Sequence, residues 1–294
     1  MERRRRKLGR PRVLIVGCGD VGSRIVSRVR DRFRVFALTS SPSRVQELRD
    51  AGVVPIVGDL DARRSLARIA NIAPRVIHLA PPPTHGTRDP RTRNLLNTTT
   101  ASRVVYISTT GVYGDHGGAW TDETAPLRPA NARAVRRVDA ERAVMAWQRR
   151  APSRNTIRLR VPGIYAANRL PLDRLRAGTP ALVPTDDVFT NHIHADDLAR
   201  IALAALARGK PGRVFNAVDD TELKMGDYFD AVADALALPR PPRLPRAQLE
   251  HAVSPALLSF MSESRRLKNA RMKRDLRVRL LYPTVRAALK AAMP

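Results

Sequence analysis

Short apolar runs rich in β-branched residues recur along this chain and alternate with longer stretches of mixed polarity. The runs "RVLIVG" (12–17), "RVFALT" (34–39), "VVPIVG" (53–58), "RVIHLA" (75–80), "RVVYIS" (103–108), "TIRLRV" (156–161) and "RVFNAV" (213–218) read as strands. Their apolar character is nearly continuous, the pattern of strands buried on both faces. Between them, 21–31, 43–51, 61–71, 131–149 and 195–208 are long enough for helices. This alternation predicts an α/β fold with a doubly wound parallel sheet of about seven strands. From about residue 163 prolines and loops break the rhythm, as in "LPLDRLRAGTPALVPTDD" and "LPRPPRLPRAQ". The expected division is a disordered basic tail over 1–10, a sheet domain over 11–162 and a small C-terminal α/β lid over 163–294. Within the lid, 191–218 is expected to return to the sheet.

The first strand runs into "GCGDVG" (17–22), a G-x-G-x-x-G loop that opens a helix. Gly17 permits the tight turn, Gly19 lets backbone approach a pyrophosphate, and Gly22 allows close helix–strand packing. With Asp20 and Val21 between the glycines, the loop presents helix-start amides to phosphate. Strand, loop and helix together predict a Rossmann-like NAD(P)-binding domain. A NAD site usually carries an acid at the end of the second strand, but here "LTSSPSR" (38–44) has none. Ser40 is small and Arg44 could meet a 2′-phosphate, so NADP is expected over NAD; the alternative is that Arg44 is one more solvated arginine. In "GDL" (58–60), Asp59 beside Leu60 could bond the adenine amine or cap the next helix. Leu79 and Ala80, which end the fourth strand, are expected beside the cofactor, and "PPP" (81–83) is expected to stiffen the loop over it.

Charge widens the field of partners. The formal net charge is +26, which favours phosphate-bearing ligands, and all but six of the 53 basic residues are arginine. Arginine in such excess, spread along the chain beside abundant alanine, also fits GC-rich coding. No nucleic-acid reading module accompanies it, so nucleic acid is disfavoured as a partner. A single cysteine, Cys18, rules out an internal disulfide and fits a cytoplasmic protein. No Cys/His cluster has metal-ligand spacing, and no apolar run is long enough for a membrane span. The opening "MERRRRKLGRPRVLIVGCGD" resembles a signal peptide only superficially, since its apolar run ends at Asp20 without a cleavage site.

From about residue 12 to the end, the chain resembles the extended short-chain dehydrogenase/reductase superfamily, the NAD(P)-dependent epimerase/dehydratase group. The match is carried by "GCGDVG", "GDL", "ISTTGVYGD" (107–115), "LRVPGIYA" (159–166), "NHIHADDLARIALAAL" (191–206), "GRVFNAVDD" (212–220) and the tail "RRLKNARMKRDLRVRLLYPTVRAAL". In that family a Ser or Thr works with a Tyr-x-x-x-Lys pair, in which the Lys lowers the tyrosine pKa. The resemblance places the hydroxyl at Thr109. With Glu141 taken as the family's Glu four residues past the Lys, it places the pair on Arg133 and Arg137, within "NARAVRRVDAE" (131–141). Both catalytic residues are therefore replaced by arginine, which stays protonated near neutrality and cannot act as acid or base. Arg137 could still bond the nicotinamide ribose, and Arg133 could grip an anionic substrate group.

Candidates to move a proton instead are Tyr113, Tyr165, His192 and His194, with packing or capping the plainer role for each. His194 and Asp196 look like helix-capping chemistry, and His78 like a satisfied core histidine. Three functions follow. The first is an atypical NAD(P)-dependent oxidoreductase or epimerase acting on a small, unidentified carbonyl or hydroxyl substrate. The second is a catalytically inactive NADP-binding sensor, and the third a nucleic-acid or polyanion binder. The family often pairs through helices of the sheet domain, so a homodimer is a further expectation.

Overall fold

The computed structural model describes residues 9–292, so residues 1–8 of the expected basic tail lie outside the described residues. Strands β1 (Arg12–Val16), β2 (Arg34–Thr39), β3 (Val54–Val57), β4 (Arg75–His78) and β5 (Arg103–Thr109) form most of the central sheet. After β6 (Trp120–Thr121), a short strand outside that sheet, come β7 (Asn155–Val161), β8 (Gly163–Tyr165), β9 (Ala181–Leu182), β10 (Phe189–Thr190), β11 (His192–His194) and β12 (Val214–Asn216). The seven-stranded sheet runs β12-β7-β5-β4-β1-β2-β3, and each of its pairings is parallel. The order reverses at β1, so a crevice opens at the carboxyl ends of β1 and β4, where such sheets bind ligands.

The continuous apolar runs are explained by two-sided burial. Along β1, Val13 and Ile15 enter one core cluster and Leu14 and Val16 the other. The same split divides Val105 and Ile107 from Val104 and Tyr106 on β5. One layer is built by α1 (Asp20–Val29) and, further along, α6 (Ala195–Arg208), which pack on each other. The opposite layer holds α3 (Pro90–Thr98) and α4 (Ala132–Arg149), whose Leu95, Leu96, Val144 and Trp147 are buried.

Element boundaries shift in places. The helix expected over 61–71 is a 3-10 helix, Arg63–Ile69, and the one expected over 43–51 is a 3-10 turn, Pro42–Arg44, followed by α2 (Val45–Asp50). Helix α3 went unread, although Asp89 caps it by accepting the Thr92 N–H and Pro90 opens it.

Past β8 the chain builds a second layer over the carboxyl edge. Its helices α5 (Leu172–Arg176) and α7 (Met225–Ala235) share a core of Leu175, Tyr228, Phe229 and Val232, joined by Tyr165 and Val285. Short strands tie it down: β11 lies beside β8, and the strand Arg266–Leu267 beside β6. Strand β12 returns to the edge of the central sheet.

Candidate functional site

The glycine loop is shaped by contacts that only glycine tolerates. Gly17 has φ +86°, and a Cβ there would stand 2.6 Å from the Ala80 nitrogen. That closeness arises because the Leu79 and Ala80 amides both donate to the Val16 carbonyl, at 2.8 and 3.0 Å. At Gly22 a Cβ would meet Gly17 O and Cys18 Sγ at 3.3 Å, which is the tight helix–strand contact expected of it. Gly19 differs, because a Cβ there would meet nothing within 4 Å. It caps α1 without a side-chain acceptor, so the first-turn amides face open space at the positive end of the helix dipole. The loop thus leaves backbone amides and open space together at the start of α1, an arrangement suited to an anion. Asp20 beside it accepts from Arg24 at 3.1 Å and from Arg169 at 3.4 Å.

The adenosine side lies at the ends of β2 and β3, where the Gly58 amide donates to Thr39 O at 2.9 Å. Ser40 and Asp59 are exposed there and Leu60 is buried in the core. Asp59 does not cap the following helix; its carboxylate accepts the Asp61 N–H at 2.9 Å, while Ala62 holds the cap position. Arg44 donates twice to Glu47, at 3.0 and 2.8 Å, and its charge also bears on Cys18 inside the loop. Burial nevertheless pushes the Cys18 thiol up.

On the other side of β1 the loop opens into a cleft of about 690 Å³. Gly17, Gly19, Asp20, Val21, Gly22, Leu79, Thr109, Arg133 and Arg137 all line it. Ser40, Arg44, Asp59, Leu60, Ala80 and Tyr113 do not, Ala80 standing behind Gly17. Thr109 ends β5 and accepts the Gly111 N–H at 3.3 Å, which leaves its hydroxyl proton to donate. Helix α4 is capped by Asn131, whose carbonyl accepts the Ala134 N–H at 2.9 Å, and this sets the two arginines on the cleft wall. Arg137 donates to Ile107 O at 2.9 Å and to the Tyr106 hydroxyl at 3.0 Å. The Arg133 guanidinium lies 4.3 Å from the centre of the Phe260 ring.

Tyr113 is a correction. It is fully buried, donates to Asn216 Oδ1 at 2.6 Å, and lies 4.7 Å from the Arg160 guanidinium. Burial pushes its hydroxyl up to about 12, and the side chain packs the interior without lining the cleft. Tyr165 is also buried and donates to Asp219 at 3.0 Å. His78 is buried against Tyr106, with Nε2 at 3.0 Å from Thr92 Oγ1, and burial lowers its pKa to about 3. His192 is likewise lowered to about 3 by burial, with its ring 4.2 Å from that of Tyr228. His194 caps α6, its Nδ1 accepting the Asp196 N–H at 3.2 Å. Glu141 is buried in a cationic nest, accepting from Ser108 at 2.6 Å and from Arg160 at 2.9 and 3.1 Å.

The lid contributes cleft residues that no sequence motif signalled. Arg169, Arg174, Phe260, Glu263 and Arg265 line the same space. Arg174 stacks 4.0 Å from the centre of the Phe229 ring, its Nε is buried without a partner, and burial pulls its pKa down to about 10. The cleft is therefore strongly cationic, with five arginines facing the carboxylates of Asp20 and Glu263. Among the described residues no His/Cys/Asp/Glu cluster could hold a metal, and no helix is long and apolar enough to cross a membrane.

Known proteins share this architecture. A functionally unknown conserved protein from Silicibacter pomeroyi is 30% identical, with 96% of this chain and 97% of that one covered at a TM-score of 0.79. The UDP-glucose 4-epimerase of Thermotoga maritima, solved with UDP-glucose, is 16% identical with 96% and 97% covered at a TM-score of 0.77. A dTDP-glucose 4,6-dehydratase double mutant from Streptomyces venezuelae, solved with NAD bound, is 19% identical with 95% of each chain covered at a TM-score of 0.75. The latter two show likeness of fold alone. No curated protein matches the chain. The family model of the NAD dependent epimerase/dehydratase family matches residues 13–217, which span the glycine loop, Thr109, both arginines and all seven strands of the sheet but the first residue of β1. The chain belongs to that family.

Proposed function

We propose that the protein binds NADP(H) and oxidises or reduces a hydroxyl or carbonyl carbon of a small anionic substrate. The observation that carries this reading is the single cleft in which the glycine loop, the Thr109 hydroxyl and an arginine-lined wall meet. A bound nicotinamide dinucleotide would supply or accept the hydride. Gly17, Gly19 and Gly22 would hold its pyrophosphate, and Arg137 its nicotinamide ribose. Thr109 would donate to the substrate oxygen, and Arg133 and Arg174 would grip the substrate's negative group. NADP is favoured over NAD because no acid follows β2 while Arg44 stands there, ready to exchange Glu47 for a 2′-phosphate. The Thermotoga maritima neighbour suggests UDP-glucose as one probe of the anionic site.

Calorimetric titration with NADPH and NADH, at low and moderate salt, tests the cofactor. NADPH binding that survives salt, with weaker NADH binding, is expected. Consumption of NADPH with glyoxylate, dihydroxyacetone phosphate or related carbonyls, or reduction of NADP⁺ with UDP-glucose, tests the chemistry. A second reading has its own support. Among the described residues the cleft wall carries no Tyr, His, Lys or Cys, which fits an NADP-binding sensor without turnover. Cofactor binding without turnover on any probe would favour it.

A further inference from the structure

With both arginines permanently charged and Tyr113 buried, the cleft must find its proton carrier elsewhere. Two carboxylates remain on its wall, those of Asp20 and Glu263. Asp20 sits in the first turn of α1 and is engaged by Arg24 and Arg169, at the pyrophosphate end. Glu263 comes from the segment joining the helix Pro255–Phe260 to the strand Arg266–Leu267, and its side chain is 10% exposed. One oxygen accepts from Asn131 Nδ2 at 3.2 Å and the other from Arg265 at 2.8 Å. Asn131 simultaneously caps α4, so Glu263 is pinned to the helix end that carries Arg133 two residues on. The neighbouring Ser264 amide donates to Asp115 at 2.7 Å, which anchors the segment from behind. The charged groups around Glu263 are Arg265 on its own segment and Arg133 on α4, whose pKa burial lowers against the opposing pull of the Glu263 charge. Each carboxylate oxygen, holding one hydrogen bond, keeps a lone pair for a further proton.

We infer that Glu263 is the catalytic proton carrier of this cleft, an assignment that rests on the oxidoreductase reading above. In the oxidation direction the substrate's O–H bond breaks and its proton passes to the Glu263 carboxylate. A bound nicotinamide dinucleotide in its oxidised form would accept the hydride released as the carbinol C–H bond breaks and the C=O bond forms. Reduction runs the same transfers backwards, with the protonated Glu263 as donor.

The test compares the wild type with Glu263→Gln and Glu263→Asp, using the carbonyl and UDP-glucose probes named above. Glu263→Gln is expected to lose on the order of 10²-fold or more in kcat, the usual worth of a positioned acid–base group. Its NADPH affinity should be unchanged, which also verifies folding, and Glu263→Asp should recover part of the rate. The wild-type pH–rate profile should contain one ionisation that Glu263→Gln lacks. Infrared difference titration of the ligand-free protein should show a carboxyl band, absent from Glu263→Gln, with the same midpoint. A Glu263→Gln variant that turns over at wild-type speed with an unchanged profile overturns the assignment and leaves the function standing. Absence of any wild-type turnover overturns both.

Discussion

The glycine-loop wall of the cleft is made by backbone, and the wall facing it by side chains drawn from distant parts of the chain. Gly17, Gly19 and Gly22 act within six consecutive residues, through a positive φ and through atoms that are not there. On the other wall Asn131 reaches Glu263 across 132 positions, and Arg133 packs on Phe260 from the lid. Backbone geometry of this kind demands one residue type and leaves a readable spacing. A side-chain assembly can be rebuilt with other residues, and here Arg133 and Arg137 occupy helix positions that line the cleft without being able to exchange protons. One wall is set by contacts within six residues and the other by contacts between distant segments, and only the first kind of constraint is local.

The largest expected effect lies beneath the side-chain wall. Glu141 is 1% exposed and satisfies Arg160 and Ser108 together. Glu141→Gln leaves buried guanidinium charge uncompensated and should cost about 3–5 kcal/mol, read by urea denaturation. A loss under 1 kcal/mol would mean that this wall does not depend on the ion pair.

On the backbone wall, Gly17→Ala must adopt φ +86° and displace Ala80. The strain alone is worth about 1–3 kcal/mol, so both melting temperature and NADPH affinity should fall. Gly22→Ala, with its Cβ at 3.3 Å from its neighbours, should be milder.

The lid makes a pH prediction. An unfolded histidine takes up a proton below about 6.5, whereas folded His192 stays neutral down to about 3. Across that window it makes stability climb with pH by about 1.4 kcal/mol per unit. Asp219, raised to about 7 by burial, works in the opposite sense, its stabilisation lost as pH rises toward that value. His192→Phe keeps a ring against Tyr228 and should show a shallower acid slope than the wild type in parallel denaturation series. Identical slopes would place the ring in contact with water.

The smallest effect concerns the adenosine side. Arg44→Ala should weaken NADPH about tenfold, the worth of one charge-assisted hydrogen bond, and leave NADH unchanged. Its exposed pairing with Glu47 adds little to stability, so the melting temperature should hold. Equal losses for both cofactors would remove Arg44 from the 2′-phosphate.

Legibility from sequence follows the same divide. The seven strands announced themselves because two-sided burial forces unbroken apolar runs, as the split of Leu14 and Ile15 between two cores illustrates. The loop was readable because no other residue fits at Gly17. Helix α3 was overlooked although Asp89 and Pro90 are a start signal, since its nine residues bury only Thr92, Leu95 and Leu96 and show little periodicity. The sequence left Tyr113 open between packing and proton transfer because its place in "VYG" says nothing of where its hydroxyl points, which Asn216 and Arg160 decide. Glu263, Arg174 and Arg265 carried no local signal, because their meaning comes from folding the lid onto the sheet.

The central claim is that the glycine loop holds a dinucleotide, and Gly19→Ala isolates it, since a Cβ there meets no protein atom within 4 Å. NADPH should be titrated calorimetrically into the wild type and into this variant at moderate salt, with their melting temperatures measured alongside. The account predicts equal melting temperatures, binding to the wild type, and binding at least tenfold weaker in Gly19→Ala, a difference of about 1.4 kcal/mol or more. Equal affinity for both proteins, or no binding to either, would contradict it.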